Sequence, residues 1–358
     1  ACGPRTLVVD HGRNPGEKVR ISGGGRCNFT NQYTDFHGFL GGNPHFHKSA
    51  LSRYTQWDFI DLVDRHGIAW HEKTLGQLFC DGKATQIVSM LVSELEQAGA
   101  TLWLQTAIRD VHKTDTGFTA RLEKEGQTIE IAARSLVLAT GGKSIPKMGA
   151  TGLAYDLARR FGHAVTDTRP ALVPFTFDKG RFADISGVAA PARVHTARQS
   201  FDEAMLFTHR GLSGPAILQI SSYWRDGEDV IVDLLPDADV AADLRAARAA
   251  TPRRALTTEL GHRLPSRLVA HLDQEADLSG TLGALSDKRI DAVAARLKAW
   301  RLRPTGTEGY RTAEVTLGGI DTDGFDSATM QSRHVPGLYA IGEEMDVTAW
   351  RGGYNFQW

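Results

Sequence analysis

Ile21-Ser22-Gly23-Gly24-Gly25-Arg26-Cys27-Asn28-Phe29-Thr30-Asn31 is the run on which the reading of this chain turns. Three consecutive glycines remove every Cβ over a turn, so backbone N–H groups there can approach a ligand at contact distance. Ser22, Arg26, Asn28 and Asn31 add side-chain hydrogen-bonding capacity around the same spot. Such a segment suits an anionic, polar cofactor better than it suits a packed core. The alternative is a glycine-rich surface loop without a ligand.

Upstream of it, Thr6-Leu7-Val8-Val9-Asp10 reads as a buried strand ending in a carboxylate, followed by a polar loop with Pro15 and Gly16. In a dinucleotide-binding unit an acidic residue at the tip of the second strand hydrogen-bonds the adenosine ribose. On that reading Ala1-Cys2-Gly3 ends a first helix, and the first strand with its GxGxxG turn lies upstream of these residues. At the other end the sequence stops at Phe356-Gln357-Trp358, in what reads as the first turn of a helix. The expectation is a longer protein clipped at both ends.

Downstream, residues 48–66 and 85–98 carry helical periodicity, the second with Thr85 as its expected N-cap. Strands are expected at 101–104 and 107–111, a hairpin-like region at 117–131, and a buried strand at 134–139 breaking into Gly141-Gly142. Residues 151–162 read as an amphipathic helix. Pro170 and Pro174 mark a change of character: 170–235 reads as short strands and turns, 238–303 as helices. The stretch 312–317 is strand-like, and Gly337-Leu338-Tyr339-Ala340-Ile341-Gly342-Glu343 reads as a returning buried strand. The predicted architecture is α/β: a Rossmann-like nucleotide-binding domain (1–168 and 310–358) interrupted by an insert of roughly 140 residues. That insert, 169–309, is read as β-rich over 169–236 and helical over 237–309.

The totals fit this class. The 358 residues are 41% hydrophobic and 23% charged, with Lys+Arg 41 against Asp+Glu 42. A formal net charge of −1 offers no long-range attraction to a polyanion, which argues against nucleic acid or an anionic membrane as partner. No apolar run approaches the roughly 20 residues that span a bilayer. Three cysteines (Cys2, Cys27, Cys80) without metal-ligand spacing fit a reducing, cytoplasmic setting.

Five ordered segments together carry a resemblance: Ser22–Asn28, Ala139-Thr140-Gly141-Gly142-Lys143-Ser144, Phe207–Pro215, Ala313–Ile320 and Gly352–Gln357. The chain resembles a bacterial family of FAD-dependent flavoproteins that includes aminoacetone-oxidase-like and bile-acid-dehydro-reductase-like members. The resemblance covers almost the whole chain and implies a glutathione-reductase-like FAD domain. It also implies roles. Asp10 takes the place of the ribose-binding carboxylate, and Lys18 could neutralise pyrophosphate charge. Gly342 and Glu343 match the pair whose carboxylate contacts the ribityl chain. Gly352 and Gly353 allow close approach to the flavin, and Tyr354-Asn355 begin a helix aimed at the ring carbonyl. Ser22, Gly23, Gly24, Gly25, Arg26, Cys27 and Asn28, with Ile108 and Ala139, Thr140, Gly141 and Gly142, complete the expected FAD cradle.

Candidates for the chemistry are Arg26 and Asn28, held beside the glycines, and His209, in the insert motif, as a proton carrier near neutral pH. Cys27 lacks a CxxC partner and reads as a buried packing residue. His37, His45 and His47 lack a third ligand in a fixed pattern, so no metal is expected. Six arginines in 245–267 are interleaved with acids and read as a solvated surface. No second GxGxxG follows a strand, so NAD(P)H, as co-substrate, would dock in the substrate cleft.

The resulting expectation is a cytoplasmic FAD-dependent oxidoreductase acting on a small organic substrate. Hydride passes through the flavin to oxygen or an activated double bond, with no nucleic-acid or membrane partner and with the oligomeric state open. The rivals are a flavin-binding protein without turnover and, disfavoured by the charge balance, an RNA-modifying flavoprotein.

Overall fold

A computed structural model describes residues 5–178 and 180–358; the helix end expected at Ala1-Cys2-Gly3 lies outside the described residues. The chain divides into two compact units, Ala1–Arg169 with Val315–Trp358, and Pro170–Glu314.

In the first unit two parallel strand pairs form. Leu7–Val9 pairs with Thr101–Trp103, and Leu136–Leu138 with Leu338–Ala340. Parallel pairing requires crossover connections, and the helix Thr85–Gln97 leads into Thr101–Trp103. Before Leu136–Leu138 the chain builds a three-stranded antiparallel sheet, Thr106–Thr114, Gly117–Lys124 and Gln127–Ala133. Its second turn is the two-residue loop Glu125-Gly126, at φ 52° and 76°, the left-handed geometry that tight hairpins favour. A smaller sheet orders Asn28–Asn31 beside Gln77–Cys80 and Trp70–Glu72. Two apolar clusters fill the unit. One gathers Val111, Phe118, Leu138, Tyr155 and Leu338; the other gathers Cys27, Phe29, Phe59, Leu78 and Ile87.

The second unit carries a seven-stranded sheet, centred on the long hairpin Ala189–His195 and Ser200–Thr208. It also carries the helices Val240–Ala250, Leu256–Leu260, Ser266–Ala276 and Asp287–Lys298.

Local readings needed correction where capping or burial overrode periodicity. The helix expected over 48–66 is two, Phe46–Arg53 and Gln56–Arg65, because Thr55 starts the second with a reciprocal capping box to Asp58. Ala84, with no side-chain cap, precedes the helix in which Thr85 is the first residue. The helix Pro215–Ser221 lies inside the region read as strands and turns. Ala216, Ile217, Gln219, Ile220 and Ser221 are all buried there, so no amphipathic stripe announces it. The strand Leu136–Leu138 is shorter than expected and Val137 is 48% exposed. Among the described residues no helix is long and apolar enough to cross a membrane.

Candidate functional site

The glycine run continues the helix Glu17–Gly25 but leaves helical geometry at Ser22, where ψ is 148°. Gly23, Gly24 and Gly25 then take φ of 56°, 68° and 86°. A Cβ in a left-handed conformation costs roughly 1–2 kcal/mol per residue, so three in succession require glycine. A Cβ at Gly24 or Gly25 would meet no atom within 4 Å. The side-chain direction is open at both, whereas a Cβ at Gly23 would lie 2.8 Å from Asn28 N and from the Phe79 ring. The run is pinned by Ala84 N–H donating to Gly25 O (2.7 Å) and Cys80 N–H to Arg26 O (3.0 Å). Ser22 Oγ donates to Val19 O at 2.7 Å, so this hydroxyl proton serves the helix end.

Asn28 and Asn31 couple the run to the C-terminal glycines. The Asn28 amide nitrogen donates to Thr30 O and Leu78 O, and its oxygen accepts from Gly353 N–H, all at 3.1 Å. Asn31 Nδ2 donates to Gly352 O at 2.9 Å. A Cβ on Gly353 (φ 101°) would sit on the backbone carbonyl of Thr30, and one on Gly352 would lie 2.9 Å from the Gln77 side chain. Tyr354 Oη donates to Tyr33 O (2.8 Å), while the Asn355 amide brackets Ala349, accepting from its N–H and donating to its carbonyl at 2.8 Å each. The helix Tyr354–Gln357 is a single turn. Gly353→Ala is therefore expected to cost at least about 2 kcal/mol in urea unfolding, whereas Gly24→Ala costs about 1 kcal/mol from backbone strain alone. Equal losses would contradict this division of roles.

Lys18 meets Glu343 across the unit. Its Nζ lies 2.6 Å from Glu343 Oε2 and 2.6 Å from Ser144 Oγ, and Ser144 Oγ donates to Glu343 Oε1 at 3.0 Å. Thr316 N–H also donates to Glu343 Oε1 at 3.0 Å. A Cβ on Gly142 would strike this cluster, 2.7 Å from Glu343 Oε1. Next to it, Glu344 is fully buried. Its two oxygens accept from Thr140 N–H (3.0 Å) and Gly141 N–H (2.8 Å), clamping the Ala139–Gly142 turn. Burial pushes this carboxyl up to about 7, with Glu343 pushing the same way against the backbone N–H groups. Glu344 is a site residue the sequence reading missed. The signal was an acidic pair at the end of a buried strand, where only one carboxylate can remain near solvent.

Of the other expected residues, Asp10 accepts from Gly12 N–H through Oδ1 (2.7 Å). Ile108 lies opposite Leu122 and packs on the first apolar cluster. Cys27 is fully buried in the second cluster, and burial lifts its thiol to about 11. Arg26 is exposed, and its guanidinium has no hydrogen bond or ion pair among the described residues. His209 is exposed at the tip of the hairpin joining Ser200–Thr208 to Gly211–Ser213, in the Pro170–Glu314 unit; Arg26 and Asn28 belong to the other unit. His47 is buried against Phe39, its Nε2 3.1 Å from Phe36 O.

The arrangement fits a dinucleotide cofactor. Left-handed Gly24, Gly25 and Gly141, where an added Cβ would meet no atom within 4 Å, leave room for backbone approach to a phosphate or ring. Lys18, Ser144 and Glu343 add a cation, a hydroxyl and a carboxylate between them.

The chain is 53% identical to a ribosomal RNA dihydrouridine synthase of Escherichia coli, over all of this chain and 90% of that protein. It is 45% identical to the protein of the same name from Haemophilus influenzae, over 99% of this chain and 90% of that one. A 3-dehydro-bile acid delta(4,6)-reductase of Clostridium scindens is 28% identical over 99% of this chain and 90% of that one. The two ribosomal RNA enzymes overturn the expectation of a small organic substrate and of no nucleic-acid partner. The charge argument failed because it summed the whole chain, and a near-zero total conceals how cations and acids are paired locally. The description "HI0933-like protein Rossmann domain" matches residues 1–358, and the chain belongs to that family.

Proposed function

We propose that this chain is an FAD-dependent ribosomal RNA dihydrouridine synthase that reduces the C5=C6 bond of a uridine, with NAD(P)H as the reductant. The observation that carries the reading is the 53% identity along its whole length to a protein of that name. When bound and reduced, FAD supplies a hydride for uracil C6, the carbon conjugated to the C4 carbonyl; a proton added at C5 completes dihydrouridine. The chain's own residues then have separable tasks. Lys18, Ser144 and Glu343 hold the cofactor's polar chain, and the glycine run admits its phosphates. Cys27 has no access to a substrate proton, because its side chain lies in the apolar cluster. The Asn28 amide is committed to Thr30, Leu78 and Gly353, so it orients the site's walls. Exposed Arg26 is free to hold an RNA phosphate or a uracil carbonyl.

The test is to incubate the full-length protein with FAD, NADPH and ribosomal RNA from a strain lacking the modification. A uridine should gain two hydrogens by mass spectrometry, and Arg26→Ala should raise KM for RNA more than it lowers kcat. RNA left unmodified, with turnover of small enones instead, would reject the reading.

A further inference from the structure

The chain has 15 Phe, 7 Tyr and 7 Trp, yet among the described residues the exposed aromatic side chains are Tyr33, Phe36, Tyr54 and Trp57. Trp57 and Tyr33 are the most open, at 57% and 63%. All four fall within one stretch of the first unit, and hydrogen bonds tie that stretch together. Gln56 Nε2 donates to Gln32 O at 3.1 Å, joining the start of the Trp57 helix to the Tyr33 loop. The single-turn helix Tyr354–Gln357 braces both sides: Tyr354 Oη bonds Tyr33 O, and Gln357 Nε2 donates to Tyr54 O at 3.2 Å. Gly353, just before that helix, is the residue whose N–H meets Asn28 beside the glycine run. The segments carrying Tyr33 and Tyr54 are therefore held to the same C-terminal turn that meets Asn28.

Charge on this stretch is balanced in number and unbalanced in availability. Its acids all have partners, although a neutral donor leaves their charge in place: Asp35 pairs with His37, Asp58 accepts from Thr55 N–H, Asp64 from Trp70 Nε1 (2.7 Å) and Glu72 from Gly76 N–H (2.9 Å). Asp81 pairs with His71, and Asp61 with Arg65. Arg26, Lys48, Arg53, Lys73 and Lys83 have no carboxylate within ion-pair distance among the described residues, and Lys48 Nζ lies 5.9 Å from the Phe36 ring centroid. In the Pro170–Glu314 unit, by contrast, Arg193, Arg198, Arg245, Arg263 and Arg296 each hold a carboxylate.

Resting on the RNA substrate proposed above, we infer that Tyr33, Phe36, Tyr54 and Trp57 form a stacking platform for single-stranded RNA, with Lys48 and Arg53 at its phosphates. Open rings accept any base face, and unpaired cations neutralise the backbone. A duplex presents neither free base faces nor this geometry, so the platform selects an unpaired segment around the target uridine.

The test measures binding of a short single-stranded oligouridylate and of a duplex of the same length to the full-length, FAD-loaded protein by fluorescence anisotropy. Trp57→Ser and Tyr33→Ser should each weaken single-strand binding about 10-fold, with duplex binding, flavin content and melting temperature unchanged. Tyr33→Phe should restore affinity, and Lys48→Glu, which leaves every ring in place, should flatten the salt dependence. Wild-type affinity in the serine variants, or an equal loss in the distant Leu91→Ser, would overturn the platform. So would serine variants that change only the oligomeric state, which would make the patch a protein interface. If the wild-type protein modifies ribosomal RNA while these variants are unaffected, the platform alone fails. If the wild type neither binds nor modifies RNA, the functional reading itself fails.

Discussion

Glu343→Ala is expected to weaken FAD binding by about 10–100-fold, from the loss of charge-assisted hydrogen bonds worth roughly 1.5–3 kcal/mol. One carboxylate satisfies three partners: Oε1 accepts from Thr316 N–H and Ser144 Oγ, and Oε2 holds Lys18 Nζ at 2.6 Å. Alanine leaves the Thr316 N–H without its acceptor and frees the Lys18 side chain from the wall. Glu343→Gln separates the two effects. Its amide oxygen can still accept from Thr316 and Ser144, but its NH2 turns a donor toward the Lys18 ammonium. Because Lys18 and Glu343 retain 38% and 22% of their side-chain exposure, a double-mutant cycle with Lys18→Met should return a coupling of no more than about 1 kcal/mol for stability. Flavin affinity is the discriminating readout, measured by titration of the apoprotein at 450-nm-type absorbance. Full flavin stoichiometry at wild-type affinity in Glu343→Ala would sink the assignment and leave Glu343 a purely structural tie.

What the sequence disclosed was what residue type alone encodes. Gly23, Gly24 and Gly25 declare a left-handed backbone, since no other residue adopts it three times running without strain. The strands Leu7–Val9 and Leu338–Ala340 declare themselves by short apolar runs bounded by turn residues. Pairings across the chain were out of reach: Lys18 and Glu343 are 325 positions apart, and nothing in either neighbourhood names the other. The partner of Asn28 was out of reach in the same way, because the Gly353 N–H it accepts from is equally remote in sequence. The nucleic-acid partner was misread for a related reason. Whether Lys48 or Arg245 is available depends on which of them folds against a carboxylate, and Arg245 does so 46 positions away at Asp291.

Glu344 sets a pH dependence of the fold itself. The carboxyl is fully buried between two backbone donors, Thr140 N–H and Gly141 N–H. Burial disfavours the anion and the two N–H groups favour it. Burial wins, raising the group from 4.5 in the unfolded chain to about 7. Between those values the folded protein keeps a proton that the unfolded chain has shed. The unfolded state binds fewer protons there, so stability falls as pH rises. The contribution is fully present below about 4.5 and is lost as pH climbs through about 7, an effect of order 3 kcal/mol. Glu344→Gln cannot titrate. It must also aim its NH2 at one of the two backbone donors, leaving that N–H unsatisfied at a cost of about 1–3 kcal/mol. Urea unfolding from about pH 5 to about pH 8 should therefore show the wild-type advantage over Glu344→Gln shrinking steadily as pH rises. A difference constant across that range would mean that Glu344 keeps an ordinary carboxylate pKa. The two N–H groups would then outweigh burial, and the Ala139–Gly142 turn would be clamped by a permanent anion.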